Sequence, residues 1–72
     1  MYIHIGNNYM IEEKKIIGIF NLKNCDNIKK MVTNDNIIDI SKGKQKAFVL
    51  IKDKEMLKGY ISNISATTLA KR

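Results

Sequence analysis

The sequence contains an uninterrupted apolar run, Ala47–Ile51, that ends in polar residues which favour turns. A run of this length bounded by turn residues is typical of a strand buried on both faces. Asp53–Glu55 supplies the residues for a chain reversal, and Met56–Ile61 follows with the length of a second strand. We therefore predict that Ser41–Ser62 forms a β-hairpin around which the rest of the chain is organised.

The same hairpin is strongly basic. Its acidic residues are Asp53 and Glu55, whereas its lysines are Lys42, Lys44, Lys46, Lys52, Lys54 and Lys58. The first three lysines flank Gly43 in a loop that leads into the apolar strand, so the strand is expected to hold them outward together. A solvated charged surface is the ordinary interpretation of a lysine run, but this clustering favours a binding surface.

The chain has 72 residues, which predicts a single domain over residues 1–72. A core of this size contributes only about 3–5 kcal/mol, so natural chains this short usually depend on disulfides, a metal or another subunit. Cys25 is the only cysteine and His4 the only histidine, so we expect no disulfide within the chain, no metal and no other cofactor. A strand buried on both faces then favours a homo-oligomer.

The first part of the chain predicts a further hairpin and a strand. Tyr2–Ile5 and Tyr9–Ile11 are joined by Gly and Asn residues, the pattern of a tight hairpin. Ile16–Phe20 is apolar and rich in β-branched residues, which predicts a central strand. Gly18 within it indicates a bulge or a close approach by a packed group.

The middle and the end of the chain predict helices. The apolar stripe formed by Cys25, Ile28, Met31 and Val32 has helical spacing, with Asn24 or Asp26 as the cap. Ile37–Ile40 predicts a third short strand, and Ser65 is expected to cap a terminal helix over 66–72. The fold class is therefore α+β, with about five mostly antiparallel strands, one helix near the middle of the chain and a short C-terminal helix.

No group of residues has the pattern of a catalytic site. Catalysis needs a nucleophile beside a base, paired carboxylates or a metal site, so we do not expect an enzyme with a small-molecule substrate. His4 alternates with Ile3 and Ile5, which favours a structural role, and Cys25 on the apolar stripe is expected to be a small buried hydrophobic residue.

The charge of the chain points to a different partner. A formal net charge of +6 is typical of proteins that meet phosphates, and Lys14 and Lys15 form a second basic group before Ile16. If the strands beginning at Ile16 and Ala47 are neighbours, the two lysine groups are expected to merge into one patch. Lysine contacts phosphate as a point charge, which predicts salt-sensitive binding to the backbone of double-stranded DNA with weak base readout. No segment is long and apolar enough for a membrane span, and the N-terminus lacks a signal-peptide pattern, so we expect a cytoplasmic protein.

Several segments resemble the small bacterial extracellular-matrix regulators RemA and RemB. The segments lie in the order and spacing of that family and are Tyr2–Gly6, Ile16–Phe20, Ile28–Met31, Ile38–Asp39, Gly43 and Thr68–Arg72. The first two are similar to the RemB branch in particular.

The resemblance implies a cytoplasmic DNA-binding regulator of biofilm matrix genes. It also implies a compact α+β subunit, likened to LytTR-type DNA-binding domains, that assembles into closed rings whose basic rim binds promoter DNA. The family's basic position before the second apolar strand corresponds to Lys15, and its arginines after the turn glycine correspond to Lys44 and Lys46. This chain differs in having lysines at these positions and Gln45 within the loop.

Two functions remain open on the sequence. In the first, a homo-oligomer regulates transcription by contacting DNA phosphates through Lys14, Lys15, Lys42, Lys44 and Lys46. In the second, an oligomeric protein-interaction scaffold modulates another regulator without binding DNA directly, and the lysines only keep its surface hydrated.

Overall fold

A computed structural model describes residues 1–72 as an α+β domain, which confirms the predicted fold class. It has six strands where about five were expected, and two short α-helices. The strands are β1 (Tyr2–Gly6), β2 (Tyr9–Glu12), β3 (Ile16–Asn21), β4 (Ile37–Asp39), β5 (Ala47–Asp53) and β6 (Met56–Ser62), and the helices are α1 (Asp26–Lys29) and α2 (Ala66–Ala70). No helix is long and apolar enough to pass through a membrane.

The predicted hairpin forms the centre of the larger sheet. β1 and β2 make a two-stranded antiparallel sheet, and the other four strands pair in the order β3-β5-β6-β4. Only the β4–β6 pair is parallel. The prediction of a central strand at Ile16–Phe20 is wrong, because β3 lies at an edge, and the more apolar β5 takes the inner place. The predicted bulge is confirmed by a register shift between Ile16 and Gly18.

Both faces of β5 are covered within one subunit. On one face, Val49 and Ile51 belong to a cluster with residues of the β1–β2 hairpin and with Leu69 of α2. On the other face, Phe48 and Leu50 pack in a second cluster that includes residues around α1. The side chains from Ala47 to Ile51 are at most 3% exposed as a result. The two-sided burial, which on the sequence favoured a homo-oligomer, therefore does not support one, because the chain supplies both covering layers itself.

The sequence predicted the start of α2 correctly but not the cap or the length of α1. α1 is a single turn, and neither Asn24 nor Asp26 caps it, because its N-cap is Cys25 and has no side-chain hydrogen bond. Cys25 and Val32 are buried as predicted, but Met31 is 56% exposed because the chain leaves helical spacing after this turn. α2 begins as predicted, with the Ser65 hydroxyl accepting a hydrogen bond from the Thr68 amide.

Two tight turns place non-glycine residues in the left-handed region. The turn between β1 and β2 holds Asn7 and Asn8 at φ of 46° and 66°, and the turn between β5 and β6 holds Lys54 and Glu55 at 51° and 68°. Two-residue hairpin loops need positive φ at both positions, which Asn tolerates better than Lys or Glu. The second turn is therefore formed against the preference of its residues.

Candidate nucleic-acid interface

The loop between β4 and β5 carries Lys42, Lys44 and Lys46, all of which are exposed. It turns at Lys42, with φ of 54°, and at Gly43, with φ of 89°. Its backbone is fixed near both ends: the Lys44 amide donates to the carbonyl of Ser41 at 3.2 Å, and the Lys46 amide donates to the carbonyl of Ser62 at 2.9 Å. The three lysines therefore project from a loop that is attached to the central hairpin.

The carboxylate of Asp39 lies at the base of this loop. Its Oδ1 accepts from the Ser41 amide at 2.9 Å and from the Ser41 hydroxyl at 2.6 Å, and its Oδ2 accepts from Nε2 of Gln45 at 2.9 Å. The hydrogen bonds from the Ser41 side chain and backbone, followed by that from Gln45, lower the pKa of Asp39. Asp39 is thus ionised at neutral pH and bonded to the loop rather than to any of its lysines.

A further lysine, Lys23, lies beside this loop. Antiparallel pairing sets Asn21 opposite Ala47, and the Leu22 amide donates to the carbonyl of Lys46 at 3.2 Å. An open groove of about 400 Å³ lies between the two segments, and its lining residues are Asn21, Leu22, Lys23, Gln45, Lys46 and Ser65. Sequence reasoning missed Lys23, because it lies far from Lys46 along the chain. An explicit antiparallel alignment of β3 with β5 would have found it.

The second basic group, Lys14 and Lys15, lies elsewhere. β3 and β5 are neighbours, as predicted, but they are antiparallel, so Ile16 pairs with Ile51 at the far end of β5. With about 3.3 Å per residue, the start of β3 is roughly 17 Å from its Asn21 end. The expectation that the two lysine groups merge into one patch is therefore wrong within one subunit.

The two groups also differ in how their charges are paired. Lys14 lies 3.3 Å from a carboxylate oxygen of Glu12, and Lys15 lies 3.4 Å from Oδ1 of Asp53. Oδ2 of Asp53 lies 3.9 Å from a third amine, that of Lys58. No carboxylate lies within ion-pair distance of the loop-end lysines, which are Lys23, Lys42, Lys44 and Lys46. A phosphate would therefore meet unpaired lysines at the loop end, whereas Lys14 and Lys15 at the opposite end of β3 are already partly neutralised.

The two other reactive side chains, Cys25 and His4, have different surroundings. Cys25 is fully buried as predicted, its thiol donates to the carbonyl of Leu22 at 3.4 Å, and burial raises its pKa. The side chain of His4 is exposed on β1, and its backbone carbonyl accepts from Nη1 of Arg72 at 2.7 Å. No three His, Cys, Asp or Glu side chains are grouped so that they could hold a metal ion.

Comparison with known proteins assigns the whole domain to one family. No curated protein matches the chain significantly. The model of the RemA-like family, described as extracellular matrix regulatory protein A-like, matches residues 2–72. This match includes all six strands, the basic loop and α2. The chain therefore belongs to the RemA-like family of extracellular matrix regulatory proteins.

Proposed function

We propose that this protein is a cytoplasmic, homo-oligomeric regulator of biofilm matrix genes, of the RemB branch, that binds the phosphate backbone of double-stranded DNA. The observation that carries the proposal is the group of unpaired lysines on the anchored loop, Lys42, Lys44 and Lys46, with Lys23 beside them. Lys14 and Lys15 contribute less, because each already has a carboxylate partner.

The type of cation supports phosphate contact without strong base readout. Lysine suits phosphate, whereas bidentate reading of guanine is mostly the work of arginine. The single arginine, Arg72, bonds to the carbonyl of His4 and lies away from the loop. Four phosphate contacts per subunit predict an affinity that falls by about 100-fold between about 50 and 200 mM salt. Several linked subunits would raise this modest affinity by avidity.

Assembly into a closed ring is part of the proposal, and two features of the subunit support self-association. β3 and β4 each leave one edge of the larger sheet unpaired, and unpaired edges are available to another chain. Ile17 on β3 is 55% exposed beside the bulge, so this edge also has an apolar contact to offer.

Fluorescence anisotropy with labelled duplex DNA tests the proposal. Lys44→Ala combined with Lys46→Ala is expected to weaken binding at least tenfold and to reduce its salt dependence. The matched control, Lys52→Ala with Lys71→Ala, removes the same charge at exposed positions away from the loop and is expected to have a much smaller effect. Salt-independent binding, or equal loss in both double variants, contradicts the proposal.

A protein-interaction scaffold is the second candidate. It is favoured by the exposed apolar surface of the β1–β2 hairpin, where Met1, Tyr2 and Met10 are 85%, 61% and 58% exposed. This function predicts the same assembly but no DNA affinity at physiological salt. Recovery of a defined protein partner from nuclease-treated lysate, lost on Tyr2→Ser with Met10→Ser, would favour it.

A further inference from the structure

Asp39 is the acidic residue at the base of the basic loop, close to the proposed phosphate-binding lysines. We propose that Asp39 is a positioning residue for phosphate binding: its carboxylate holds Lys42–Lys46 in the shape that presents the lysines, so losing this negative charge weakens binding. This inference rests on the proposed DNA-binding function and adds a residue to it.

The hydrogen bonds of Asp39 reach both ends of the loop. Ser41, which precedes the lysines, donates to Oδ1 through its amide and its hydroxyl, at 2.9 and 2.6 Å. Gln45, between Lys44 and Lys46, donates to Oδ2 at 2.9 Å. One carboxylate thus closes the loop across its width. The Ser41 side is fixed, since Ser41 is 1% exposed, while Gln45 lies at the surface.

The backbone of the loop needs such a closure. Lys42 has a left-handed conformation, with φ of 54°, which a non-glycine residue rarely keeps unless its surroundings hold it there. Gly43 follows at φ of 89°, and a Cβ added to it would meet nothing within 4 Å, so nothing packs against the chain at this position. The hydrogen bonds of Asp39 and that from Lys44 to Ser41 hold this turn, while the Lys46 amide attaches the end of the loop to Ser62.

The negative charge of Asp39 and its role in shaping the loop predict opposite effects on phosphate binding when Asp39 is removed. If only Coulomb attraction mattered, removing an anion beside three lysines would strengthen phosphate binding. If the shape of the loop matters, the same change releases the loop and weakens binding, because flexible lysines must be ordered again on the DNA. Asp39 makes no ion pair with any lysine, so its removal frees no cation that was previously neutralised.

The experiment compares Asp39→Ala with Asp35→Ala, using duplex DNA as the probe. Asp35 is exposed, has no hydrogen bond or ion pair from its side chain, and its loss changes the net charge equally. We expect Asp39→Ala to weaken binding about fivefold to tenfold and Asp35→Ala to leave it unchanged or slightly tighter. Gln45→Ala, which keeps the net charge and changes an exposed residue, is expected to weaken binding about twofold to threefold. Gln45→Ala also tests the closure if Asp39→Ala fails to fold.

Two readouts separate positioning from general destabilisation. Trypsin cleavage after Lys42, Lys44 and Lys46 is expected to accelerate in Asp39→Ala, at an unchanged rate elsewhere. In the background of Lys44→Ala with Lys46→Ala, the effect of Asp39→Ala on DNA binding is expected to vanish, since coupled residues are not additive.

The outcomes distinguish the two proposals. Binding by the unmodified protein together with equal or tighter binding by Asp39→Ala overturns the role of Asp39 alone. No salt-sensitive binding by the unmodified protein overturns the proposed function, and with it the phosphate role of Asp39.

Discussion

The hydroxyl of Ser62 donates a 2.6 Å hydrogen bond to the carbonyl oxygen of Ile5, 57 positions earlier in the chain. The Ser62 hydroxyl oxygen in turn accepts a hydrogen bond from the Ile64 amide at 2.9 Å, and the Ser62 side chain is fully buried. This contact joins β6 of the larger sheet to β1 of the smaller one. Ser62→Ala leaves the buried carbonyl and the amide without their partner, so we expect the free energy of unfolding to fall by about 1–3 kcal/mol.

Urea unfolding measures this loss. The control is Thr67→Ala, which changes an exposed hydroxyl on α2 that makes no side-chain hydrogen bond. Equal stability of the two variants contradicts a structural role for the Ser62 contact.

Gly59 on β6 lies directly under the ring of Phe48. A Cβ added at Gly59 would lie 2.6 Å from Cε1 of Phe48, and the side chain of Phe48 is fully buried. Gly59→Ala is therefore expected to destabilise the fold by about 1–3 kcal/mol through overpacking, measured by thermal unfolding. Combining it with Phe48→Leu is expected to cost less than the sum of the two single changes. Additive losses would show that the two side chains do not collide.

The turn at Lys54 and Glu55 offers a stabilising change. Both residues have positive φ, and Asn-Gly is the preferred pair in a two-residue turn of this kind. We expect Lys54→Asn with Glu55→Gly to raise the free energy of unfolding by about 1 kcal/mol at unchanged net charge. DNA affinity is expected to stay the same, since this turn is at the opposite end of β5 from the basic loop. Weaker binding in this variant would contradict the placement of the interface.

Lys23 is expected to matter more for DNA than Lys15. Lys23 has no carboxylate partner and lines the groove with Lys46, whereas Lys15 pairs with Asp53. Lys23→Ala is expected to weaken binding several-fold and to lower the salt slope by about one unit. Lys15→Ala is expected to change both by less than half as much. Anisotropy titrations at several salt concentrations measure both quantities, and the reverse ranking would move the interface to the other end of the subunit.

The stabilisation that the Asp39 carboxylate gives the fold is expected to be lost at low pH. Hydrogen bonds from Ser41 and Gln45 hold its folded-state pKa below the ordinary value of 3.8. The stabilisation from this carboxylate is therefore fully present above pH 3.8 and is lost as the pH falls through the lower folded-state value. We expect the NMR signal of the Ser41 amide to titrate with a midpoint below that of the Asp39 carboxyl in the unfolded chain. A midpoint at or above pH 3.8 contradicts the hydrogen bonding described for this carboxylate.

The hairpins and the C-terminal cap could be predicted because their signals are local. The apolar run at Ala47–Ile51, the Gly and Asn residues before Tyr9, and Ser65 each act on residues within a few positions. The place of β3 at an edge and its direction along β5 are set by packing between distant segments. For that reason the sequence pattern predicted two neighbouring strands but did not separate Lys15 from Lys46, and it left Lys23 unnoticed.

The sequence predicted which strand forms the centre of the core but not which segments cover it. The run Ala47–Ile51 reports that both faces of a strand are buried, but not whether the covering layers come from the same chain. Ile3 and Ile5 lie far from this strand in sequence, and only the three-dimensional arrangement places them against it.

The antiparallel pairing of β3 with β5 gives the subunit an electric dipole. One end holds Lys23, Lys42, Lys44 and Lys46, with the carboxylate of Asp39 at the base of the loop. At the other end, lysines and carboxylates are mixed: Glu12, Glu13, Lys14, Lys15, Lys52, Asp53, Lys54, Glu55 and Lys58. In the field of the polyanion that we propose as its partner, such a subunit would experience a torque that turns its basic loop forward before contact. A larger share of diffusive encounters would then begin in the proposed binding orientation.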